Sequence, residues 1–420
     1  MHYLVALFDR MTLSEMPDKK KEATGEDLIE NLKKIDAKCD TIVSDLYLVI
    51  RQLRSSCPRL HLLTDYHIIE YMSVVAEPKE VIKDLSWLFS NVKELKVDSS
   101  GKSPPAIYGL INTLHETLTF ANRIPINPQD QDGSNFYIPA LLNEIEKELK
   151  QSVRSNLIKF MPVFFENAYN FANNFKLFKE KNVIFQNLIL LTNILFCHDM
   201  TMIIGSKQYV SENARDSFIA NKLKLFKSNI EHNLATLCEL FRYERERFWF
   251  LLLNQYIFHI KYQLEVLNYV IESDVQSLDA FEFLIIPKTM LEYQAKVIKN
   301  SDLLTSTVNA SKSFLEITTS IQDFNLLNTK SDFLHSSKNV EPTNYNIIIK
   351  SFCYKRNYGF SLLPFTEPIA FAPSTNRCYV TMLGALATQS GVIVHGLQDQ
   401  GKKETIKVKL LTFPSLSNDF

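Results

Sequence analysis

Apolar residues at Leu28, Leu32, Ile35, Cys39, Ile42, Leu46, Val49 and Leu53 recur at alternating spacings of four and three. That rhythm places them on one stripe of a long helix. Thr24 with Asp27 offers a capping-box-like start, and Pro58 stops the helix. The seam suits an oligomerising coiled coil or a helix packed inside its own bundle. Fewer than four heptads, with no regular flanking charge pattern, favour the bundle. Shorter helical segments are expected through Leu95, followed by polar breaks at 98–105 and 127–133. A clear amphipathic helix comes next, with Leu142, Ile145, Leu149, Val153, Leu157 and Phe160 on one face. The aromatics that follow, Phe164, Phe165, Tyr169, Phe171, Phe175 and Phe178, are interleaved with Lys176 and Lys179 and could form a base-stacking platform. Their helical spacing favours core packing instead. Helical spacing persists over 221–271, interrupted by the charged run Arg242, Glu244, Arg245, Glu246 and Arg247, which reads as a solvated patch. The Ser-, Thr- and Asn-rich stretch 301–346 is expected to hold little regular structure or small strands.

Composition narrows the picture. With 420 residues and 46% hydrophobic content, the chain can bury two or three sizeable packed units. Only ten Gly argues against a sheet-rich architecture and for helices throughout. A formal net charge of −1 gives no broad field for a phosphate backbone, so no nucleic acid is expected as a partner. The apolar run Phe248–Leu253 is bounded by Arg247, Asn254, Gln255, His259 and Lys261, too short for a membrane span. It reads as a buried helix, and no membrane partner is expected. Six cysteines, at 39, 57, 197, 238, 353 and 378, show no CxxC spacing. With no signal peptide ahead of them, free thiols in a cytoplasmic setting are expected.

Two candidate sites dissolve on inspection of the sequence. Cys197-His198-Asp199 offers three ligand types in a row, but successive helical residues point apart and no second ligand pair stands at zinc-like spacing. A buried thiol beside a polar residue is the expectation. Glu144, Glu146 and Glu148 lie near Lys147 and Lys150 and read as an exposed, ion-paired face rather than acid–base machinery. No catalytic or metal-ligating residue is assigned.

Gly396-Leu397-Gln398-Asp399-Gln400-Gly401-Lys402-Lys403 has the spacing of a phosphate-binding loop. Its two glycines let backbone N–H groups approach phosphate, and Lys402 suits terminal phosphates. Lys403 stands where a Ser or Thr hydroxyl would hold Mg²⁺, so magnesium binding is compromised. Val392-Ile393-Val394 reads as a short buried strand entering the loop, and 404–407 as the start of the following helix.

Upstream of the loop, Asn357-Tyr358-Gly359-Phe360 and then Asn376-Arg377-Cys378-Tyr379-Val380-Thr381-Met382-Leu383-Gly384-Ala385-Leu386 precede it in order. This succession resembles the opening of the first AAA+ module of dynein heavy chains. Gly396, Gly401, Lys402, Glu404 and Thr405 match that family's loop, while Asp399 replaces a glycine and Lys403 the metal-ligating threonine. Cys57-Pro58-Arg59-Leu60-His61-Leu62-Leu63-Thr64-Asp65, with Ile68-Ile69-Glu70, resembles the family's linker signature. Phe281-Glu282-Phe283-Leu284 resembles a second linker segment, and His259 falls where the family often carries a histidine motif from which Ile260-Lys261-Tyr262 departs. Patchy but collinear, the likeness runs from about Asp27 to Lys407.

The resemblance implies a mainly α protein: an elongated helical-bundle arm of the dynein linker type, followed by an incomplete α/β P-loop start. It divides the chain into a flexible lead-in over 1–26, a linker-like region over 27–350, and the start of the first AAA+ module over 351–420. In the family the arm swings when the first module hydrolyses ATP. The chain is therefore expected to be a truncated or alternatively ended heavy chain, a piece of a microtubule motor without autonomous ATPase activity, since a Walker B carboxylate lies well downstream of the loop in the family. ATP is implied as a weak or vestigial ligand at Gly396, Gly401, Lys402, Glu404 and Thr405. The implied partners are other dynein subunits and AAA+ modules, with microtubules met only through the complete motor. The implied location is the cytoplasm and cytoskeleton, including the ciliary axoneme. Two other readings stay open: a freestanding helical scaffold of dynein descent that binds proteins without nucleotide, and a weak nucleotide sensor.

Overall fold

The structure, a computed structural model, describes residues 25–73, 88–89, 91–98, 106–126, 137–205, 215–293, 345–352, 354–363, 373–397, 400–403 and 405–406. The lead-in expected over 1–26 lies almost wholly outside them, as do Thr24 of the expected cap and most of 301–346. The described chain is mostly helical, with two small antiparallel sheets. It separates into two compact units, one of Met1–Val75 with Ile138–Ala140 and the other of Ala76–Tyr137 with Leu141–Phe420.

In the first unit the predicted seam forms one continuous helix, α1 (Gly25–Ser56). Pro58 stops it and opens a 3-10 turn, Pro58–Leu62, that leads to α2 (Asp65–Ser73). A proline has no N–H to lose at the first turn, so it starts this turn at no hydrogen-bond cost. Arg54 fixes the corner: its guanidinium donates to the carbonyl of Leu63 at 2.8 Å and pairs with Asp65 at 2.7 Å. Leu53, Cys57, Leu60, Leu63 and Ile68 are buried there. Bundle packing was expected along the whole seam, yet Leu32, Ile35 and Ile42 stand exposed.

The second unit opens with a meander of β1 (Val92–Asp98), β2 (Ala106–Asn112) and β3 (Thr117–Pro125), paired in that order. Helix was expected up to Leu95, so β1 is a correction. Register shifts interrupt β1 between Val92 and Glu94, and Val92 and Leu95 are its buried residues. A bulge thus turns a period of two into a spacing of three, which mimics a helix in sequence. Gly109 sits beside a register shift in the β2–β3 pairing, between Ile107 and Gly109. A Cβ there would come within 2.5 Å of the Leu118 carbonyl oxygen, so only glycine permits this approach of β2 to β3.

Five helices follow: α3 (Tyr137–Asn167), α4 (Phe171–Lys181), α5 (Phe185–Gly205), α6 (Arg215–Tyr243) and α7 (Arg247–Glu272). The predicted face of α3 is buried throughout, and its Leu157 and Phe160 share one core with Phe164, Phe165, Phe171, Phe175 and Phe178. Tyr256 of α7 lies at its centre, stacked on Phe175 and edge-on to Phe171. Its hydroxyl lies 3.2 Å from that of Thr192, so the buried phenol keeps a polar partner. The aromatic run is therefore core, and Lys179 lies over the Trp249 ring at its edge. The charged run 242–247 spans the end of α6, the connection at 244–246 and the first residue of α7, and across this turn Phe241 and Phe250 stack at 4.3 Å. Helix α5 is long and apolar enough to cross a membrane, but half of its apolar window is buried among the other helices. The shorter apolar run Phe248–Leu253 is part of α7.

A helical turn at Phe281–Leu284 leads into a second meander, β4 (Lys288–Tyr293), β5 (Tyr345–Ser351) and β6 (Tyr354–Asn357). Ile347, Ile349 and Tyr354 join the helical core. The last regular element is α8 (Pro373–Ala387), which packs beside β6 and contributes Leu383 to the same core. The parallel P-loop sheet implied by the resemblance does not form among the described residues. Val392–Val394, expected as a buried strand, is coil, with Ile393 95% exposed. A strand of that type needs parallel neighbours that bury both of its faces, and the described sheets are both antiparallel.

Candidate functional site

The residues flagged in the sequence gather around three junctions. The first is the corner at 54–68. Cys57-Pro58-Arg59-Leu60 carries it, with Cys57, Leu60 and Leu63 inward and Arg54 bonded across the turn. Its chemistry is structural.

The second junction joins the helices to the β4–β6 sheet through Phe281–Leu284. Phe283 is buried beneath the ammonium of Lys288, which lies 3.8 Å from its ring centre and donates to its carbonyl at 2.6 Å. Burial pushes the Lys288 ammonium down to about 8. Leu284 and Ile285 accept from the Phe352 N–H and the Ser351 hydroxyl, at 2.8 and 3.1 Å. The turn thereby supplies two carbonyls that the end of β5 requires. Nearby, the Cys197 thiol is buried and pushed up to about 11 by that burial, which makes it inert rather than nucleophilic. Tyr169 donates to Asp199 at 2.6 Å, and the same carboxylate lies 2.9 Å from the ring of His198. His198 and Asp199 thus contact each other, while the buried Cys197 thiol lies beside Thr289 and Lys288.

The third junction leads toward the loop. Gln186, in the first turn of α5, donates to the Tyr358 hydroxyl at 2.7 Å and to the Ser361 carbonyl at 2.9 Å. Its own carbonyl accepts from the Leu363 N–H at 3.0 Å. Asn91 donates to the Leu363 carbonyl at 2.6 Å, and the Arg154 guanidinium lies over Phe360. The stretch 358–363 is therefore stitched to α3, α5 and the start of β1. Gln186 and Asn91 went unnoticed in the sequence; the only trace was a polar pair, Gln186-Asn187, opening an otherwise apolar helix.

Two further polar links hold these elements. Glu116 accepts from the Phe185 N–H at 2.9 Å and from Asn112 at 2.7 Å, so its carboxylate caps α5. Burial outweighs both bonds and raises its carboxyl to about 7. His259, singled out for its position in the sequence, contacts Asn193 Oδ1 at 2.8 Å, and Gln263 donates to the same oxygen at 2.9 Å. Two donors on one acceptor assign the proton to His259 Nε2. Burial lowers His259 to about 4. Glu148, expected on an exposed face, is instead buried and accepts from Asn122, while Glu146 pairs with Lys150 as expected.

The loop itself is closed on its own groups. Lys402 Nζ donates to the Gly396 carbonyl, and to that of Leu397 at 2.9 Å. Leu397 N–H donates to the Gln400 side chain at 3.1 Å. Gly401 adopts a positive φ of 69°, a conformation glycine takes without strain. Both the N–H and the hydroxyl of Thr405 return to the Gly401 carbonyl at 2.9 Å. Gly396, Gly401, Lys402 and Thr405 are thus brought into one loop, with Lys403 exposed beside it. Asp399 and Glu404 lie outside the described residues. The donors fit phosphate only once Lys402 and Gln400 release the loop's own carbonyl and amide.

Residues 10–160 match the family model described as dynein heavy chain, N-terminal region 2. The match includes the Arg54 corner, the first sheet and most of α3, and stops short of the loop. No curated protein sequence matches the chain.

Proposed function

We propose, from the match of residues 10–160 to the dynein heavy chain, N-terminal region 2 model, that the chain is the mechanical-arm portion of a dynein heavy chain, a linker-like body leading into the opening of a first AAA+ module. The observation that carries this reading is the Gln186 clasp. It bonds the stretch before α8 and the loop to the helical body at three points, as an arm that moves with the start of a nucleotide-binding module requires. Cytoskeletal association follows from the family in general terms, and the ciliary axoneme is one place it would serve. The partners in this reading are other dynein subunits and AAA+ modules, and microtubules are met only through the assembled motor.

In this reading ATP is a weak ligand of Gly396, Gly401, Lys402, Glu404 and Thr405, and its phosphates compete with the loop's own carbonyls for Lys402. Lys403 offers no oxygen to Mg²⁺, so binding proceeds without the metal and the chain does not hydrolyse ATP on its own. Calorimetry of the purified chain with ATP should give a Kd near or above about 1 mM, equivalent to roughly 4 kcal/mol. EDTA should leave it unchanged and Lys402→Ala should abolish it. Phosphate release should stay at background. Micromolar binding that requires Mg²⁺, or phosphate release lost on Lys402→Ala, would overturn the reading. Complete absence of nucleotide binding would favour the dynein-derived scaffold.

A further inference from the structure

Helix α1 continues its apolar stripe beyond the part buried at the corner. Ile50 and Leu53 are 2% exposed, whereas Leu32, Ile35, Ile42 and Val43 are 54, 37, 65 and 50% exposed. Cys39, Leu46 and Val49, between them, are only half-buried. We propose that this face pairs with the same face of a second copy of the chain, as an antiparallel two-stranded coiled coil centred between Asp40 and Thr41.

The heptad fixes the register. Leu32, Cys39 and Leu46 occupy one core position, and Ile35, Ile42 and Val49 the other. In an antiparallel pair the two core positions oppose each other. One register satisfies every member, setting Leu32 against Val49, Ile35 against Leu46 and Cys39 against Ile42 of the second copy. The same register brings Lys38, which flanks the core, beside Asp45 of the other copy. Both side chains are exposed, and the two-fold axis makes the pair twice. The opposite flank sets Asp36 against Val43 and is neutral to the choice. A parallel in-register pair would instead place Lys38 against Val43 and Asp45 against Ile50, with no attraction on either flank. Flanking charges choose partner and orientation in coiled coils, and here they choose an antiparallel second copy.

Sedimentation equilibrium of the full chain tests this. The wild type should form a dimer. Ile42→Asp should make it monomeric with an unchanged helical circular dichroism spectrum. Lys38→Glu, which sets like charges opposite each other twice, should weaken the dimer by about tenfold. Adding Asp45→Lys to Lys38→Glu should restore it. A wild-type chain that stays monomeric at the highest concentration reached overturns the proposal, as does an oligomer indifferent to Ile42→Asp. A dimer weakened by Lys38→Glu but not restored by the double exchange overturns the antiparallel register.

Discussion

Two side chains carry opposite pH dependences through one mechanism, burial of a titrating group. The Glu116 carboxyl is raised from 4.5 to about 7, so the folded state holds its proton where the unfolded chain has released it. Its contribution to stability is complete below about 4.5 and is lost as pH rises through about 7. His259 is lowered from 6.5 to about 4, so it works in the other direction: its contribution is present above about 6.5 and lost as pH falls through about 4. Across the shared window the two slopes oppose each other, and each single variant should uncover the other. Relative to wild type, Glu116→Gln should gain stability steadily from pH 4.5 to 7, and His259→Phe should gain it from pH 6.5 down to 4. Urea unfolding of the three proteins across this range measures the differences. Parallel stability profiles would mean that neither group is held as its surroundings indicate.

At the scale of elements, legibility followed period. Helix α3 and the aromatics after it were readable because Leu142, Ile145, Leu149, Val153, Leu157 and Phe160 recur every third or fourth residue and are all buried, and from Leu157 to Phe178 the buried residues share one core. The first meander was not, since its bulges remove the alternation that marks a strand. The junctions were readable only in part. Cys57–Asp65 and Phe281–Leu284 stood out as sequence, but what holds them, Arg54 and Lys288, acts through bonds to backbone carbonyls that leave no pattern. Gln186 is the clearest case of a side chain whose role is invisible until its partners, far along the chain, are folded beside it. Gln186→Ala leaves the Leu363 N–H and the Ser361 carbonyl without their partner, at a cost of about 1–3 kcal/mol for each buried group left unpaired. Hydrogen exchange should then accelerate at 358–363 while the centres of α3 and α5 keep their protection. Equal acceleration everywhere, or none at 358–363, would show that the clasp does not hold this stretch.

For the whole molecule, the contrast among the described residues is between the helical core of the second unit and a loop at 396–406 that joins no sheet. Among the described residues, Leu383 of α8 is the last buried member of that core, with Leu386 packed against it, and beyond Ala387 the described backbone turns, then runs as coil with Val392, Ile393 and Leu397 exposed. Among the described residues, the loop's bonds, from Lys402, Gln400 and Thr405, return to 396–401 and none reaches the body. Its local stability is therefore that of a few solvent-exposed hydrogen bonds, at the low end of what a folded protein spans. Limited trypsin digestion should cut after Lys402 or Lys403 first and leave a resistant product that retains α8. The same digestion with saturating ATP separates two cases. A loop that takes phosphate exchanges its internal bonds for ligand bonds and is cut more slowly, and Lys402→Ala should abolish that protection while leaving the nucleotide-free rate high. If the lysines at 402 and 403 resist trypsin as well as Lys159 in α3 does, the loop is packed onto the body, and the scaffold reading gains over the motor-arm one.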